Sequence, residues 1–236
     1  MADDNEAGDF LWRRLERGAR APRVQLTHAQ IAEAAIEMAD AEGLDAVSMR
    51  KLADRLGVAT MSLYRYVRSK DELLELMVDA AYEQVEIPEG ADWRETLRAR
   101  AWATRATYLR HPWLVRLGEP LTPAVTASAD RLLATLDSTG LDADTKMVVL
   151  RTVRSYVNGI IAGEIELAEL LRREGVSDMD ELRHAYAPRM RWLLESGRYP
   201  AYRDYIRHGR RKDDTVWQFE LGLECVLDGL ATRLGI

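Results

Sequence analysis

Hydrophobic residues recur along most of the chain at intervals of three and four, with charged residues between them. This spacing places apolar side chains on one face of an α-helix, whereas a half-buried β-strand would alternate every second residue. Side chains that can cap a helix precede several of these segments. They occur in Thr27-x-x-Gln30, Ser69-x-x-Glu72, Asp92-x-x-Glu95 and Ser177-x-x-Asp180. The pattern therefore predicts an all-α fold.

The predicted helices are short in the first third of the chain and longer afterwards. The short ones cover residues 27–42, 49–56, 60–67 and 70–86. Gly43 ends the first, and Ser48 caps the second, which Gly57 ends. After residues 88–90 the predicted helices cover 92–110, 112–117, 122–138, 143–173, 178–196 and 214–234. Segment 197–213 is the least regular part of this prediction.

Two short helices joined by a tight turn with glycine are typical of a helix-turn-helix, and residues 49–67 fit that description. The turn is Gly57-Val58-Ala59. At about 100° per residue, Leu63 and Val67 share one face of the following helix. Met61, Ser62 and Arg65 then point outward, with Tyr64 and Tyr66 on the flanks.

Such an outward face suits the major groove of DNA, where residues near the start of a helix reach base edges. Arg65 can pair with guanine, and Thr60 and Ser62 can bond a base or a phosphate. Tyr64, Tyr66 and Lys70 suit phosphates at the groove edges. The alternative is a helical hairpin whose charged face is only solvated.

The net charge of −6 gives no global argument for a nucleic-acid partner, but the charge is uneven. Residues 1–70 hold 11 basic and 11 acidic groups, so the whole excess of acid lies in residues 71–236. Residues 49–70 contain only one acidic residue, Asp54, and six basic residues. The basic residues are Arg50, Lys51, Arg55, Arg65, Arg68 and Lys70. Five arginines in residues 13–23 form a second patch. It is either an arm that reaches the DNA backbone or minor groove, or a disordered soluble tail.

The cysteine count and two stretches of the sequence indicate the cellular compartment in which we expect the protein. One cysteine, Cys225, allows neither an internal disulfide nor a cysteine-based zinc cluster and suits a reducing cytoplasm. The acidic stretch at residues 1–10 does not have the pattern of a secretory signal. The uncharged stretch at residues 155–163 is far shorter than the roughly 20 residues of a membrane helix. We therefore expect a cytoplasmic protein without a membrane partner.

Part of the chain resembles a known protein family. Residues 26–79 are similar, without a gap, to the DNA-binding domain of the tetracycline-repressor (TetR) family of bacterial transcription regulators. The most specific feature is the pattern S-[LI]-Y-x-[YH]-[VF]-x-[SN]-K-x-x-L, which begins at Ser62 and ends at Leu73. The resemblance implies a homodimer on a palindromic or near-palindromic operator. It also implies that DNA faces Arg50, Thr60, Ser62, Tyr64, Arg65, Tyr66 and Lys70.

Residues 71–236 resemble the family's regulatory domain, most clearly in the tail WQFELGLECVLDGLATRL at 217–234. The resemblance implies a helical core with a ligand cavity, and dimerisation through the helix near 143–173 and the last helix. The last helix carries an apolar stripe: Phe219, Leu223, Val226, Leu227, Leu230 and Leu234. Four glycines in helix interiors, each costing roughly 1 kcal/mol against alanine, indicate close packing with a partner or within the chain. They are Gly159, Gly163, Gly222 and Gly229.

Aromatic and polar residues along the later helices are candidates for the effector pocket, with core packing as the alternative for each ring. They are Trp102, Thr104, Tyr108, His111, Trp113, Tyr156, Asn158 and Glu164. At positions of the drug-binding side chains of the family's founding member, this chain has Glu86, Arg100, Thr104 and Gly118. A histidine that helps to hold the drug-bound magnesium is therefore unmatched, and we predict neither tetracycline as ligand nor any metal or cofactor.

The predicted organisation is a flexible basic arm at 1–25, a helix-turn-helix domain at 26–70, and a helical regulatory, ligand-binding and dimerisation domain at 71–236. The predicted function is a repressor released from DNA by a small molecule. An activator or a factor regulated by another protein would have the same fold. An enzyme using Glu164 and His111 lacks any supporting motif. The basic, tyrosine-rich segment 197–213 is a solvated loop, a pocket lid or a binder of single-stranded nucleic acid.

Overall fold

The computed structural model describes residues 10–16, 26–85 and 91–236, and all of the regular structure in these ranges is helical. The α-helices are α1 (Leu11–Glu16), α2 (His28–Glu42), α3 (Met49–Arg55), α4 (Thr60–Leu63), α5 (Lys70–Glu83), α6 (Trp93–Arg110), α7 (Leu114–Leu117), α8 (Pro123–Thr135), α9 (Ala143–Glu174), α10 (Met179–Glu195), α11 (Pro200–His208) and α12 (Thr215–Leu234). Short 3-10 turns cover Leu44–Ala46 and Asp137–Thr139. The all-α prediction is confirmed.

The chain forms two compact units, Met1–Met147 and Val148–Ile236. The first contains α1 to α8, and the second contains most of α9 together with α10 to α12. The first unit therefore continues well past residue 70, where the predicted DNA-binding domain ends. That three-part domain division remains a prediction.

Most of the predicted helix starts carry the expected caps. Thr27 and Gln30 form a complete capping box, and the side chains of Ser48, Ser69 and Asp92 accept the expected backbone N–H. The start of α10 differs from its prediction. Asp178 caps this helix, accepting the N–H groups of Asp180 and Glu181, because its carboxylate reaches both orphan donors at once.

The helix α4 is shorter than the predicted range 60–67. Regular α-helix ends at Leu63, and hydrogen-bonded turns continue to Val67. The bonds from Arg65 N to Ser62 O and from Tyr66 N to Leu63 O span three residues, which marks the tighter 3-10 geometry. Ala59 precedes the helix and provides no side-chain cap, so the first turn is held by backbone bonds and packing alone.

The predicted flexible arm contains an ordered helix, α1. Leu11 is 1% exposed. The Arg14 guanidinium donates to both carboxylate oxygens of Glu72 on α5, at 2.9 and 2.7 Å. One of these oxygens also accepts the Arg68 N–H at 2.7 Å. Residues 11–16 therefore belong to the folded unit, and apart from the exposed Phe10 the rest of the predicted arm lies outside the described residues.

The Glu72 carboxylate makes the attachment of α1 sensitive to pH. Burial opposes ionisation, but bonds from Arg14 and from the Arg68 N–H outweigh it and lower the pKa of Glu72. A lowered folded-state pKa means that the stabilisation is present above the ordinary glutamate pKa and is lost as pH falls through the folded-state value. Hydrogen exchange of the backbone amides in 11–16, corrected for intrinsic rates, should therefore lose protection on acidification.

Glu72→Gln should lower that protection roughly tenfold at neutral pH, since a charge-assisted bidentate bond is replaced by a neutral one. In this variant the step on acidification should disappear. Equal protection in variant and wild type at neutral pH would show that α1 is held by Leu11 alone.

The second unit is built around α9 and α12. Val149, Val153, Val157 and Ile161 form the buried stripe of α9. Phe219, Leu223 and Leu227 are the buried part of the predicted α12 stripe, each fully buried. The Tyr156 hydroxyl donates to the Phe219 carbonyl at 2.8 Å.

The four helix-interior glycines do not share one environment. A Cβ at Gly222 would lie 2.3 Å from the Tyr156 hydroxyl and 2.7 Å from its ring. At Gly159, Gly163 and Gly229 a Cβ would meet nothing within 4 Å among the described residues. Close packing within the chain therefore explains Gly222 but not the other three.

The segment predicted as irregular contains the helix α11. Pro200 occupies the first helical turn, where its missing N–H costs nothing and its fixed φ favours helix. Among the described residues, no helix has the length and apolar character needed to cross a membrane.

Candidate nucleic-acid interface

A buried apolar contact holds α4 against α3. Leu52, Ala53, Leu63 and Val67 are each fully buried. Gly57 has φ of +66°, which closes the turn in a conformation that other residues adopt only with strain. The Val58 N–H reaches the Ala53 carbonyl at 3.0 Å and fixes the turn. The two helices therefore have the arrangement predicted for a helix-turn-helix.

The outward face of α4 is exposed and polar apart from one side chain. Met61 is 75% exposed and Tyr64 is 39% exposed. The Arg65 guanidinium donates to Ser62 Oγ at 3.2 Å, so two of the side chains predicted to reach bases lie together. The exposed methionine suits apolar contact with a thymine methyl group, and the arginine suits the acceptors of guanine.

The other predicted DNA-facing residues lie around this face. Tyr66 is half-buried, and its ring packs edge-on against His28 with centroids 5.5 Å apart. The His28 imidazole also lies 3.3 Å from the Tyr66 carbonyl oxygen, and its burial lowers the pKa of His28. Lys70 is exposed at the first position of α5, and Arg50 is exposed in the first turn of α3. Thr60 is half-buried at the start of α4.

Fewer of the basic residues of this region are unpaired than the residue count predicts. Lys51 pairs with Glu42 at 3.5 Å, and Arg55 pairs with Glu37 at 2.6 Å. Both carboxylates belong to α2, the α-helix before α3, and lie 9 and 18 positions from their basic partners in the sequence. The basic residues on or beside α4 that remain exposed and lack an ion pair to a described residue are Arg50, Arg65 and Lys70.

The candidate pocket residues of the first unit lie on and after α6. Thr104 and Tyr108 are buried, and Trp102 is half-buried beneath Arg105. His111 and Trp113 do not point into an open site. The His111 Nδ1 lies 2.9 Å from both Asp40 oxygens, and the Trp113 Nε1 donates to Asp40 at 2.8 Å. Their polar atoms therefore tie the segment between α6 and α7 to α2.

A polar cluster lies beside these residues and includes Tyr82 and Glu119, which the sequence pattern did not single out. The Tyr82 hydroxyl bonds to Tyr108 and Glu119, both at 2.9 Å, and the Arg100 guanidinium lies 5.1 Å from the Tyr82 ring centroid. Burial, reinforced by Tyr108 and Glu119, raises the pKa of Tyr82, while burial lowers the pKa of Arg100. Arg100 Nη1 is buried without a hydrogen-bond partner among the described residues. Arginines also occur in α6 at positions 94, 98, 105 and 110, so Arg100 does not stand out in the sequence as a signal of this cluster.

The candidates of the second unit lie on α9. Tyr156 is used in packing against α12. Asn158 Oδ1 is buried and accepts no hydrogen bond from a described residue. Glu164 is half-buried. Within the parts of the chain that are described, no three histidine, cysteine or carboxylate side chains are grouped so that they could hold a metal ion.

Comparison with known proteins agrees with this arrangement. Residues 31–77 match the family model of bacterial regulatory proteins of the tetR family, and residues 87–234 match the tetracyclin repressor-like C-terminal domain. The chain is 36% identical over 228 residues to the HTH-type transcriptional repressor DrrR1 of Streptomyces coeruleorubidus, covering 94% of this chain and 83% of that protein. It is 30% identical over 236 residues to an HTH-type transcriptional regulator of Saccharopolyspora erythraea, covering 96% and 93%.

Solved structures show the same likeness. The TetR family protein ActR of Streptomyces coelicolor, in complex with actinorhodin, superposes with a TM-score of 0.70 at 29% identity. The match covers 90% of this chain and all of that one. The two family models, the relatives matched over most of their length and the exposed face of α4 all indicate the same family. The chain belongs to the TetR family of DNA-binding transcriptional regulators.

Proposed function

We propose that this protein is a repressor that binds its operator as a homodimer and leaves it when a small molecule binds the regulatory part of the chain. The observation that carries the DNA-binding half is the outward face of α4. Leu63 and Val67 anchor the helix, while Met61, Tyr64 and Arg65 stay exposed. In a dimer, two such helices enter successive major grooves roughly 34–36 Å apart.

Two observations support the dimer. Gly159 and Gly163 on α9 and Gly229 on α12 have open space beside them, so the backbone of another helix can approach. On α12, Val216 and Leu221 are about half exposed, at 50% and 47%. These features lie on α9 and α12, the helices for which dimerisation is predicted.

Ligand binding, the second part of the proposal, is supported by similar proteins and by a buried polar atom that lacks a hydrogen-bond partner among the described residues. ActR has been solved with actinorhodin bound, and DrrR1 is a repressor. In this chain the buried Asn158 Oδ1 lacks a donor among the described residues, and a buried acceptor of this kind costs about 1–3 kcal/mol unless something satisfies it. A ligand or a partner chain is a natural source of that donor.

Gel-shift titration with the DNA upstream of the gene tests the proposal. The wild type should give a specific shift, and Arg65→Ala should weaken it about tenfold by removing a base contact. Arg189→Ala is the matched control, since Arg189 is an exposed arginine on α10, in the second unit. Equal weakening by both variants, or no specific shift from the wild type, would contradict operator recognition through α4.

A further inference from the structure

A groove in the second unit lies outside every site described so far. It has a volume of about 710 Å³ and lies between α10, α11 and the end of α9. Small-molecule sites in proteins commonly span roughly 300–1,000 Å³. None of the sequence-predicted ligand residues lines this groove.

The floor of the groove is apolar and its walls are aromatic. Leu182 is buried at its base, and Met190, Leu194 and Ile206 are half-buried around it. Tyr202 and Tyr205 form one wall, with ring centroids 6.1 Å apart and planes tilted by 39°. Each of these rings is 49% exposed, so an aromatic face is open to whatever enters.

Some of the charged side chains of the groove are already used within the chain. Arg183 donates to Asp213 at 2.9 Å and also pairs with Asp180 at 2.5 Å, which raises the pKa of Arg183. Lys212 donates to the Ile206 carbonyl and lies over the Tyr205 ring, 5.8 Å from its centroid. These groups shape the groove and keep its walls in place.

Two arginines of the groove remain available. Arg191 on α10 and Arg207 on α11 are exposed, and neither has a hydrogen bond or ion pair to a described residue. Glu195 is the carboxylate of the groove outside the Arg183 pair, so the available charge is two positive against one negative. The arginines come from opposite helices, and a guanidinium binds carboxylate or sulfonate oxygens in a bidentate manner.

The geometry points to a binding site for a flat aromatic molecule that carries an acidic group. Its rings lie on the apolar floor against Tyr202 and Tyr205, and its acid meets Arg191 and Arg207. A concave, tyrosine-lined groove with guanidinium groups supplies both recognition elements of such a molecule. This inference goes beyond the proposed function, because binding here requires neither DNA nor a dimer.

Two fluorescent probes that differ by a single acidic group test it. The first, 1-anilinonaphthalene-8-sulfonate, carries a sulfonate, and the second, N-phenyl-1-naphthylamine, has the same rings without it. Both should bind the full-length wild type with about one site per chain, and the sulfonate should bind more tightly. A probe that binds at many equivalent sites would overturn the inference.

Filling the groove tests the location. Ala187 lines the groove, whereas Ala185 lies on the same helix, is exposed and does not line it. Ala187→Trp should abolish binding of both probes, and Ala185→Trp should leave it unchanged. Far-UV circular dichroism confirms that both variants fold. Unchanged binding in folded Ala187→Trp would overturn the inference.

Removing the two charges tests the chemistry. Arg191→Gln with Arg207→Gln should weaken the sulfonate about tenfold or more and leave the neutral probe unchanged, because only charge-assisted hydrogen bonds are lost. Arg189→Gln with Arg198→Gln makes the same change of net charge outside the groove and should affect neither probe. Equal weakening in both double variants would reduce the effect to overall charge and overturn the assignment of the arginines.

Two further measurements distinguish other occupants. Displacement of the sulfonate probe by a short single-stranded oligonucleotide would assign the groove to nucleic acid. A change of molar mass in Ala187→Trp, seen by light scattering, would assign it to a second copy of the chain. Either result would overturn the small-molecule site, whereas absence of operator binding would contradict the proposed function and leave this site intact.

Discussion

Replacing Asp40 with alanine is expected to lower the free energy of unfolding by about 2 kcal/mol. The Asp40 carboxylate bonds to two side chains from the segment between α6 and α7. His111 is 6% exposed and Trp113 is 4% exposed, so both donors are buried, while the Asp40 side chain lies at the surface and water can reach part of the space it leaves. Each buried donor left unsatisfied costs about 1–3 kcal/mol. Urea unfolding followed by circular dichroism at fixed pH measures the change.

The chain offers a matched control for this variant. Asp45 pairs with Arg116 on α7, at 3.1 and 3.2 Å, but this ion pair is exposed to solvent. Asp45→Ala should therefore change stability little, since exposed pairs contribute little. Asp40→Asn retains one acceptor and should give an intermediate loss. If Asp40→Ala and Asp45→Ala were equally mild, the bonds from the buried His111 and Trp113 would contribute nothing beyond an exposed pair.

Substitution of valine for Gly222 is expected to destabilise the second unit by roughly 3 kcal/mol. A Cβ alone would come within 2.3 Å of the Tyr156 hydroxyl, and the ring cannot retreat without losing its bond to the Phe219 carbonyl. Better helix propensity favours valine over glycine by only a few tenths of a kcal/mol, so it cannot offset the overlap. Thermal and urea unfolding of the full-length protein measure the loss.

A double-mutant cycle isolates the cause. Tyr156→Ala removes the three atoms nearest to a Cβ at Gly222, so in that background Gly222→Val should cost much less. A loss of the same size in both backgrounds would show that Tyr156 is not the obstacle. The cost would then come from another neighbour, such as a partner chain.

The sequence predicted the DNA-reading part well because its signals are local. Caps at Thr27, Ser48 and Ser69 and the glycine turn act within a few residues, and the spacing of Leu63 and Val67 defines the buried face directly. The residues of α4 that do not share the face of Leu63 and Val67 then form its exposed face. The length of α4 was overestimated, because helical periodicity does not distinguish α-helix from the 3-10 turns that follow Leu63.

Features that depend on long-range contacts were missed for a physical reason. The α1 helix has only six residues and gains its stability from the Arg14–Glu72 contact, across 58 positions of sequence. In the same way, nothing in the neighbourhood of His111 indicates that Asp40 accepts from it across 71 positions. Local patterns contain no information on such partners.

The candidate ligand residues show the same limit. Aromatic residues on amphipathic helices look alike whether they line a cavity or fill a core. His111 and Trp113 prove to bond to Asp40, while the groove between α10 and α11 was missed because α11 was predicted as irregular. Tyr202, Tyr205 and Ile206 are spaced three and four residues apart, which is the helical signal that could have identified it.

The ion pairs of Lys51 with Glu42 and of Arg55 with Glu37 have a consequence for counterion release. Each cation that neutralises a DNA phosphate adds about 0.9 to the slope of log affinity against log salt concentration. Side chains already balanced by a carboxylate of α2 do not displace condensed counterions without exposing that carboxylate to the phosphates. We therefore expect operator binding to show a shallower salt dependence than the six clustered basic residues imply.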